Sequence, residues 1–478
     1  MPRSPSAASP RAALSRMPSG RITTGTLQGP SPPKELGRER RYTHGGMDAE
    51  RRKDLWIGLA FTALAAALRL PRLGFPQEEI FDEVYHARTA LQYLNHESLT
   101  EWVHPPTAKL LIAIGIWAFH YTSWAWRLVP ALAGIALAPT FYALARITLP
   151  TRRAAILATL VLSADGVYLV QSRVAMTNIF AVFFQVAAAL FIVRATLKER
   201  LDTTLFLIAG VFLGLGVSTR WTSLWALGFL GLLTVVIRGD RIARMRMKEV
   251  PLLLTLVKEI PLLFVSFLAI PAVLYVISYI PLLQQRNNFH TLLGIKAALV
   301  DLVQEQQRVW SYHANLVATH PYFSKWYTWP WLYRPTWYYF NQVGDTVRGI
   351  VAIGNPAIWW ASVPITIWAL VTGVARKDLP RLFAGFGFCA LYLPWGISPR
   401  TLNYSHYLFE ALPYACLSLG LWLDLHWDTK PRLARGYLAL VVALFVLYFP
   451  FLTALPIPAQ VFGGRWSVGI WAWFPSWI

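Results

Sequence analysis

The chain has 478 residues, of which 55% are hydrophobic and only 14% are charged, and its mean hydropathy is +0.42. These values exclude a soluble globular domain and indicate a membrane protein with several spans. The net charge of +20 does not call for a nucleic-acid partner. Much of it lies in the N-terminal tail and in loops predicted to be cytoplasmic, where anionic lipid headgroups attract it.

The N-terminal 46 residues are rich in Ser, Pro, Gly and Arg and contain no apolar run. Such a segment cannot bury enough surface to offset the entropy of ordering, so residues 1–46 are predicted to be a disordered cytoplasmic tail. A signal peptide is not expected, because no apolar core follows the first basic residues. The membrane domain is expected to occupy 47–478, with Met47 as an alternative start of translation.

Apolar segments of about 20 residues, the length needed to cross a bilayer, recur along the rest of the chain. We count eleven predicted spans, at roughly 55–73, 126–147, 154–171, 177–195, 204–219, 221–237, 258–280, 356–374, 381–397, 405–424 and 435–454. A further apolar segment, at about 107–120, is short and follows Pro105 and Pro106. It predicts an interfacial helix lying on the membrane.

Basic residues support this count, because Lys and Arg concentrate in cytoplasmic loops. Under the eleven-span topology the basic clusters all fall on one side, at 51–53, 146–153, 198–200, 238–248, 376–381 and 430–435. Counting 107–120 as a span would move the cluster at 146–153 to the other side. The N-terminus is therefore predicted to be cytoplasmic and the C-terminus external. Two long external loops result, at about 74–125 and 281–355.

The first external loop carries an acid pair, Asp82 and Glu83, followed by His104 and Lys109. External loops often carry acids simply because they are solvated, and a single arginine at a span end is readily explained by snorkelling. Here, however, arginines recur at the predicted external ends of the spans, as Arg69, Arg127, Arg173, Arg220 and Arg400. Ionisable groups near the membrane are expensive unless paired or functional. Together they predict a carboxylate that acts beside an anionic lipid headgroup.

An ordered series of motifs extends from the first predicted span to the last residue. It consists of FDEVYHARTAL, VHPPTAKLLIAIG, RLVPALAG, SADGVYLVQSRVAMTNIF, GLGVSTRWTSLW, HPYFSKWYTWPWLYRP, AIGNPAIWW, LPWGISPRTLNYSHYLFEALPY and WFPSWI. Over about 430 residues this series resembles the protein O-mannosyltransferases, in particular their bacterial, actinobacterial-like branch. The resemblance implies an all-α polytopic membrane protein with the GT-C glycosyltransferase fold, eleven spans and catalytic external loops.

The family resemblance implies transfer of mannose, with inversion, from polyprenyl-phosphate-mannose to Ser or Thr hydroxyls of proteins at the external face of the cell membrane. It makes Asp82 the catalytic carboxylate and Glu83 its neighbour. For the donor phosphate we choose Arg127 and Arg400, followed by Arg173 and Arg69. His104 is expected either to orient the acid pair or contact the sugar, or to cap the interfacial helix.

The implied partners are the lipid donor, unfolded or translocating acceptor proteins and, as a further candidate, the secretion translocon. No cofactor and no metal are expected, because a phosphomonoester donor relaxes the need for a cation and the external loops lack Asp-x-Asp. His313 and His320 are expected to be packing residues. For Asp165, which lies in or near a span, Arg173 is the candidate partner.

Two other classes of function compete with this interpretation. A GT-C transferase acting on a glycolipid such as lipid A would share the acid-bearing loop and the external arginines. A transporter or a lipid-binding protein is less favoured, because it would need charged residues along a pathway inside the spans, and these cluster at one face.

Overall fold

The structure, a computed structural model, describes residues 44–198, 201–246, 259–462 and 469–477. These residues are mostly helical. The helices are α1 (His44–Arg69), α2 (Glu83–Asn95), α3 (Thr107–Phe119), α4 (Ser123–Thr148), α5 (Arg152–Ser163), α6 (Gly166–Gln171), α7 (Asn178–Leu197), α8 (Thr203–Val217), α9 (Ser223–Arg246), α10 (Glu259–Arg286), α11 (Leu292–Asn315), α12 (Pro356–Arg376), α13 (Leu379–Tyr392), α14 (Leu412–His426), α15 (Pro431–Thr453) and α16 (Ala459–Phe462).

The predicted spans fall on helices of the described chain. Five of these helices, α4, α7, α10, α12 and α15, are long and apolar enough to cross a membrane. The segment predicted to be interfacial forms α3, whose 13 residues extend about 20 Å, less than the hydrocarbon thickness of about 30 Å. Of the predicted tail, residues 1–43 lie outside the described residues, while 44–46 belong to α1.

One predicted span was wrong in detail, because residues 154–171 form two helices, α5 and α6. The break lies at Ala164 and Asp165. The Asp165 carboxylate accepts a hydrogen bond from the backbone N–H of Tyr168 at 2.9 Å, which caps α6 at its N-terminus. A new helix therefore starts inside the apolar segment.

The described chain is mostly helical but not all-α, because a small antiparallel sheet joins the loop before α12 to a short strand after α15. Its strands are β1 (Thr336–Val343), β2 (Thr346–Ala352) and β3 (Ile457–Pro458), in the order β1-β2-β3. The β1–β2 turn includes Gly344 at φ +56°, a backbone conformation that glycine adopts without strain. The sequence carries the signal for this hairpin, since aromatic and β-branched residues flank a Gly-Asp pair.

The core of the membrane domain is built around α7. In the most apolar stretch of α7, 83% of the residues are buried, which fits a helix that is hydrophobic on every side. In the most apolar stretch of α10, only 11% of the residues are buried, so most of its apolar surface faces outward. Such a surface suits contact with lipid.

Candidate active site

Glu83 is a fully buried carboxylate with four hydrogen-bond donors around it. Arg127 donates to both oxygens, from Nε to Oε1 at 2.8 Å and from Nη2 to Oε2 at 2.6 Å. The backbone N–H groups of Ile80 and Ala175 donate at 3.0 and 2.9 Å. These contacts join the start of α2 to α4 and to the segment before α7. Each carboxylate oxygen of Glu83 therefore accepts two hydrogen bonds, which leaves neither oxygen available to take a proton from a substrate.

Arg127 uses all five of its N–H groups within the protein. Besides the two bonds to Glu83, it donates to three backbone carbonyls of the loop after α1, those of Leu73, Pro76 and Glu78, at 3.3, 2.7 and 3.1 Å. A guanidinium has five donors in total, and this one is completely buried. The geometry thus favours a loop-organising role over the predicted contact with a donor phosphate.

Arg173 and Arg69 also hold the C-terminal end of α1. Arg173 donates to the carbonyls of Leu68 and Arg69, which the helix C-terminus leaves without intrahelical partners, and to those of Pro71 and Arg72 in the following turn. Arg69 donates to Ser172 Oγ at 2.8 Å and lies 4.0 Å from the centre of the Tyr168 ring. Both arginines are buried, so neither presents an open guanidinium to a ligand in this conformation.

Asp82, next to Glu83, has a carboxylate without such hydrogen bonds in the described chain. It occupies the N-cap position of α2 at φ −75° and ψ 0°, and its side chain makes no capping hydrogen bond. N-cap residues usually adopt the β region, from which the side chain reaches the first N–H groups. Within the described residues the Asp82 carboxylate has no hydrogen-bond partner, and the side chain is partly exposed.

Aromatic rings pack around Phe81, the residue before Asp82. Phe81 has a φ of +49°, a conformation that costs a non-glycine residue about 1–3 kcal/mol. Its ring stacks on Tyr338 of β1 at 4.2 Å and meets the edges of Tyr404 and His406. These contacts stabilise the strained turn and attach the sheet to the loop that carries the free acid.

Burial and neighbouring charges together set the pKa of Asp82. Burial, helped by the negative charge of Glu101, raises the pKa of the carboxyl to about 6, although the positive charges of Arg400 and Arg220 oppose the rise. The carboxylate is therefore a stronger base than an ordinary aspartate. It is also half protonated only one unit below neutral pH, which suits general base catalysis.

Arg400 and Arg220 are the two arginines that act on Asp82. Arg400 is partly exposed and donates from Nε to the Leu402 carbonyl at 2.9 Å and from Nη1 to His313 at 2.6 Å. Its Nη2 has no hydrogen-bond partner in the described part of the chain. Arg220 lies 3.1 Å from a carboxylate oxygen of Glu410. The sequence pointed to Arg220 as one of five external arginines but gave no reason to select it.

Glu101, which the sequence analysis did not single out, organises the segment before α3. Its carboxylate contacts the buried Lys109 amine, while its Oε1 lies 2.9 Å from both the backbone nitrogen and Nδ1 of His104. Burial alone would raise the pKa of Glu101, but the charges of Lys109 and His104 hold it well below its usual value. Burial lowers the pKa of His104 to about 3 although Glu101 opposes this. His104 thus contacts Glu101 and not the Asp82-Glu83 pair.

The predicted pairing of Asp165 with Arg173 was wrong. Asp165 Oδ2 accepts from the Trp359 indole at 2.7 Å and from the backbone N–H of Asn355 at 3.1 Å. Neutral donors therefore satisfy this buried acid, and it links α6 to the start of α12. Among the described residues, no group of three or more His, Cys, Asp or Glu side chains is arranged to hold a metal ion.

Family models and known proteins match most of this chain. A family model described as Dolichyl-phosphate-mannose-protein mannosyltransferase matches residues 59–123 and 117–284, and one described as the C-terminal four TMM region of protein-O-mannosyltransferase matches 298–379. The Polyprenol-phosphate-mannose--protein mannosyltransferase of Mycolicibacterium smegmatis is 30% identical over 87% of this chain and 91% of its own length. The chain belongs to the protein O-mannosyltransferase family. The Mycobacterium tuberculosis protein of the same name is 29% identical over 88% of this chain and 92% of its own.

A solved structure shares the fold of this protein O-mannosyltransferase. The Saccharomyces cerevisiae Pmt1–Pmt2 complex bound to the sugar donor matches with a TM-score of 0.75 at 15% identity, over 87% of this chain and 92% of the other. The family models include Asp82, Glu101, Arg220 and His313, whereas Arg400 lies beyond the matched residues. The role of Arg400 therefore depends on its geometry.

Proposed function

We propose that this protein transfers mannose from polyprenyl-phosphate-mannose to Ser or Thr hydroxyls of proteins, with Asp82 as the catalytic base. The observation that carries the assignment of Asp82 is its free, partly exposed carboxylate, whose pKa is about 6, close to two arginines. Membership of the protein O-mannosyltransferase family supports the reaction class and the lipid donor. It also favours a protein acceptor over the glycolipid alternative.

The reaction needs a base and a cation on opposite sides of the sugar. An acceptor hydroxyl is a weak nucleophile, so Asp82 takes its proton as the new C1–O bond forms. The bond from C1 to the phosphate oxygen breaks, and its electron pair leaves on the lipid phosphate. Attack from the side opposite the leaving group inverts C1. Developing negative charge on the phosphate calls for preorganised donors.

Arg400 is our choice for the donor phosphate. Its Nη2 is open, and its charge acts on Asp82. Arg220 adds positive charge to the same space. We assign Glu83, Arg127, Arg173 and Arg69 to holding the loop that presents Asp82, because all four are buried and hydrogen-bonded within the protein. His104 helps to fix the segment from Glu101 to Lys109.

The location follows from the charge of the loops. We infer that the protein is a multi-pass protein of the cell membrane with eleven spans, a cytoplasmic N-terminus and an external C-terminus, and that the site lies outside. Acceptors would then be unfolded or translocating proteins, with the secretion translocon as a candidate partner. A requirement for a metal or a cofactor is not proposed.

The test is mannose transfer from synthetic polyprenyl-phosphate-mannose to a Ser/Thr-rich peptide, using purified wild type and Asp82→Asn. Asparagine keeps the size of Asp82 and removes its basicity, so transfer should fall by about 10²–10⁴-fold, the usual contribution of a general base. Glu78→Gln is the matched control, because Glu78 is an exposed acid in the same loop. Wild-type transfer by Asp82→Asn would exclude this residue as the base.

The pH profile of the same assay gives a second readout. Only ionised Asp82 accepts a proton, so kcat/KM should fall on the acid side with an apparent pKa near 6, and stay level above it until another group titrates. An acid limb near 4 would contradict the burial of this carboxyl. If the label enters a lipid product and never the peptide, the glycolipid alternative replaces the protein-modifying function.

A further inference from the structure

His313 lies near the C-terminal end of α11 and joins the two long external loops. Its Nε2 is 2.9 Å from the backbone carbonyl oxygen of Val103. A carbonyl can only accept a hydrogen bond, so Nε2 carries the proton and donates. The neutral imidazole then has a bare Nδ1. The carbonyl of the first loop thus fixes the tautomer of a histidine in the second.

The bare Nδ1 of His313 faces Arg400. The distance from Arg400 Nη1 to His313 Nδ1 is 2.6 Å, and the guanidinium donates because it has no acceptor. A charged imidazole would carry a proton on Nδ1 and repel this partner. Burial lowers the pKa of His313 to about 4, and the charge of Arg400 acts in the same direction. His313 is therefore neutral at physiological pH and able to accept.

The two contacts of Arg400 define the direction of its guanidinium. Nε donates to the Leu402 carbonyl at 2.9 Å and Nη1 donates to His313, so rotation of the planar group would break one bond or the other. Nη2 is left as the open end. Without His313, Nη1 would lose its anchor and the group would turn more freely about its last torsion.

The Val103 carbonyl is itself held in place. Glu101 accepts from the His104 backbone N–H at 2.9 Å, and the Lys109 amine donates to the His104 carbonyl at 2.7 Å. Val103 lies between these two fixed residues. The charges of Arg220 and Glu101 also act on the His313 ring, and its Tyr312 and Trp221 neighbours are aromatic. The first loop therefore forms a rigid support for the histidine.

We propose that His313 is a positioning residue that aims the open Nη2 of Arg400 at the phosphate of the lipid donor. This inference rests on the proposed function, because it takes the donor phosphate as the ligand of Arg400. It replaces the packing role that the sequence suggested for His313. His320, for which a packing role was also expected, lies beyond the end of α11.

A pair of amide variants separates anchoring from positioning. His313→Asn places its amide oxygen near the position of Nδ1 and can still accept from Arg400. His313→Gln places its amide near Nε2, so it keeps the contact with Val103 and loses Arg400. The KM for polyprenyl-phosphate-mannose should rise about tenfold in His313→Gln, or about 1.4 kcal/mol, and by much less in His313→Asn. The KM for the peptide should change little, and His290→Gln, an exposed histidine before α11, is the control.

The Arg400→Gln background completes the test. If His313 acts through Arg400, adding His313→Gln to Arg400→Gln should raise the donor KM no further, because the two changes remove one interaction. Equal effects of the two amides, or additive effects with Arg400→Gln, would overturn the positioning role and leave the proposed function intact. An unchanged donor KM in Arg400→Gln would remove Arg400 from the phosphate and this inference with it, while the Asp82 result would still decide the base. Thermal midpoints in detergent verify that each variant is folded.

Discussion

Asp82 and Glu83 are consecutive carboxylates with different surroundings, and the turn into α2 separates their roles. Glu83 points inward and is saturated by Arg127 and two backbone N–H groups. Asp82 stays at the surface of the site without a hydrogen bond. Residue type and spacing predicted that the pair matters. Only the backbone conformation at Phe81 and Asp82 decides which acid is free.

Removing the charge of Glu83 should act on folding. Glu83→Gln leaves Arg127 buried without its counter-ion, which is expected to destabilise the protein by about 3–5 kcal/mol. Asp82→Asn should keep or raise the stability, because burial disfavours the ionised acid that it replaces. Thermal unfolding in detergent micelles compares the two variants with wild type. A Glu83→Gln protein with the wild-type midpoint and no transfer activity would instead make Glu83 a catalytic residue.

Arg400 was selected from the sequence and stays in the proposed site. Arg220 was noted but not selected, His313 was expected only to pack, and Glu101 was not named. The reason is physical. An arginine at a predicted external span end is a visible anomaly, whereas a glutamate or histidine in a solvated loop is ordinary. Their importance comes from contacts across the fold, such as the one between Arg220 and Glu410, which the sequence does not encode locally.

At the scale of elements, helix positions were predictable and helix contacts were not. Apolar length gave the spans because the bilayer sets the length of a segment. Apolar length did not predict the break at Asp165 or the β1–β2 hairpin, because a helix cap and a tight turn each change the hydropathy over only a few residues. Close helix packing needs small residues at matching positions, and which small residues face each other depends on the tertiary arrangement.

The contact between α14 and α5 tests this point. A Cβ on Gly420 would lie 2.6 Å from Ala158 Cβ and 2.7 Å from the Ala154 carbonyl oxygen. Gly420→Ala should therefore destabilise the protein by about 1–3 kcal/mol through overpacking, seen as a lower thermal midpoint in detergent. Gly436→Ala in α15 is the control, because no heavy atom lies within 4 Å of its Cβ position and alanine favours the helix. Equal midpoints for the two variants would mean that α5 and α14 are not in close contact.

At the scale of the whole molecule, the proposed topology puts β1 outside and the end of α12 inside the cell. In a background lacking Cys389 and Cys416, Asn341→Cys should react with a membrane-impermeant maleimide in intact cells. Arg376→Cys should react only after permeabilisation. Both positions are exposed in the structure, so access to the reagent reports the side of the membrane. Labelling of both variants in intact cells would contradict the eleven-span arrangement.

The sequence by itself determined the class of the protein, the positions of its apolar helices, the proposed orientation from loop charge, the family and the choice of Asp82 as the proposed base. These follow from composition, segment length and local motifs, which act over a few residues or along one helix. Only the tertiary structure decided that Glu83, Arg127 and Arg173 bond within the protein, that Arg69 is buried against Tyr168, and that Glu101, His313 and Arg400 form one connected support. Hydrogen-bond saturation is a property of partners distant in the chain, and it appears only when the loops are folded together.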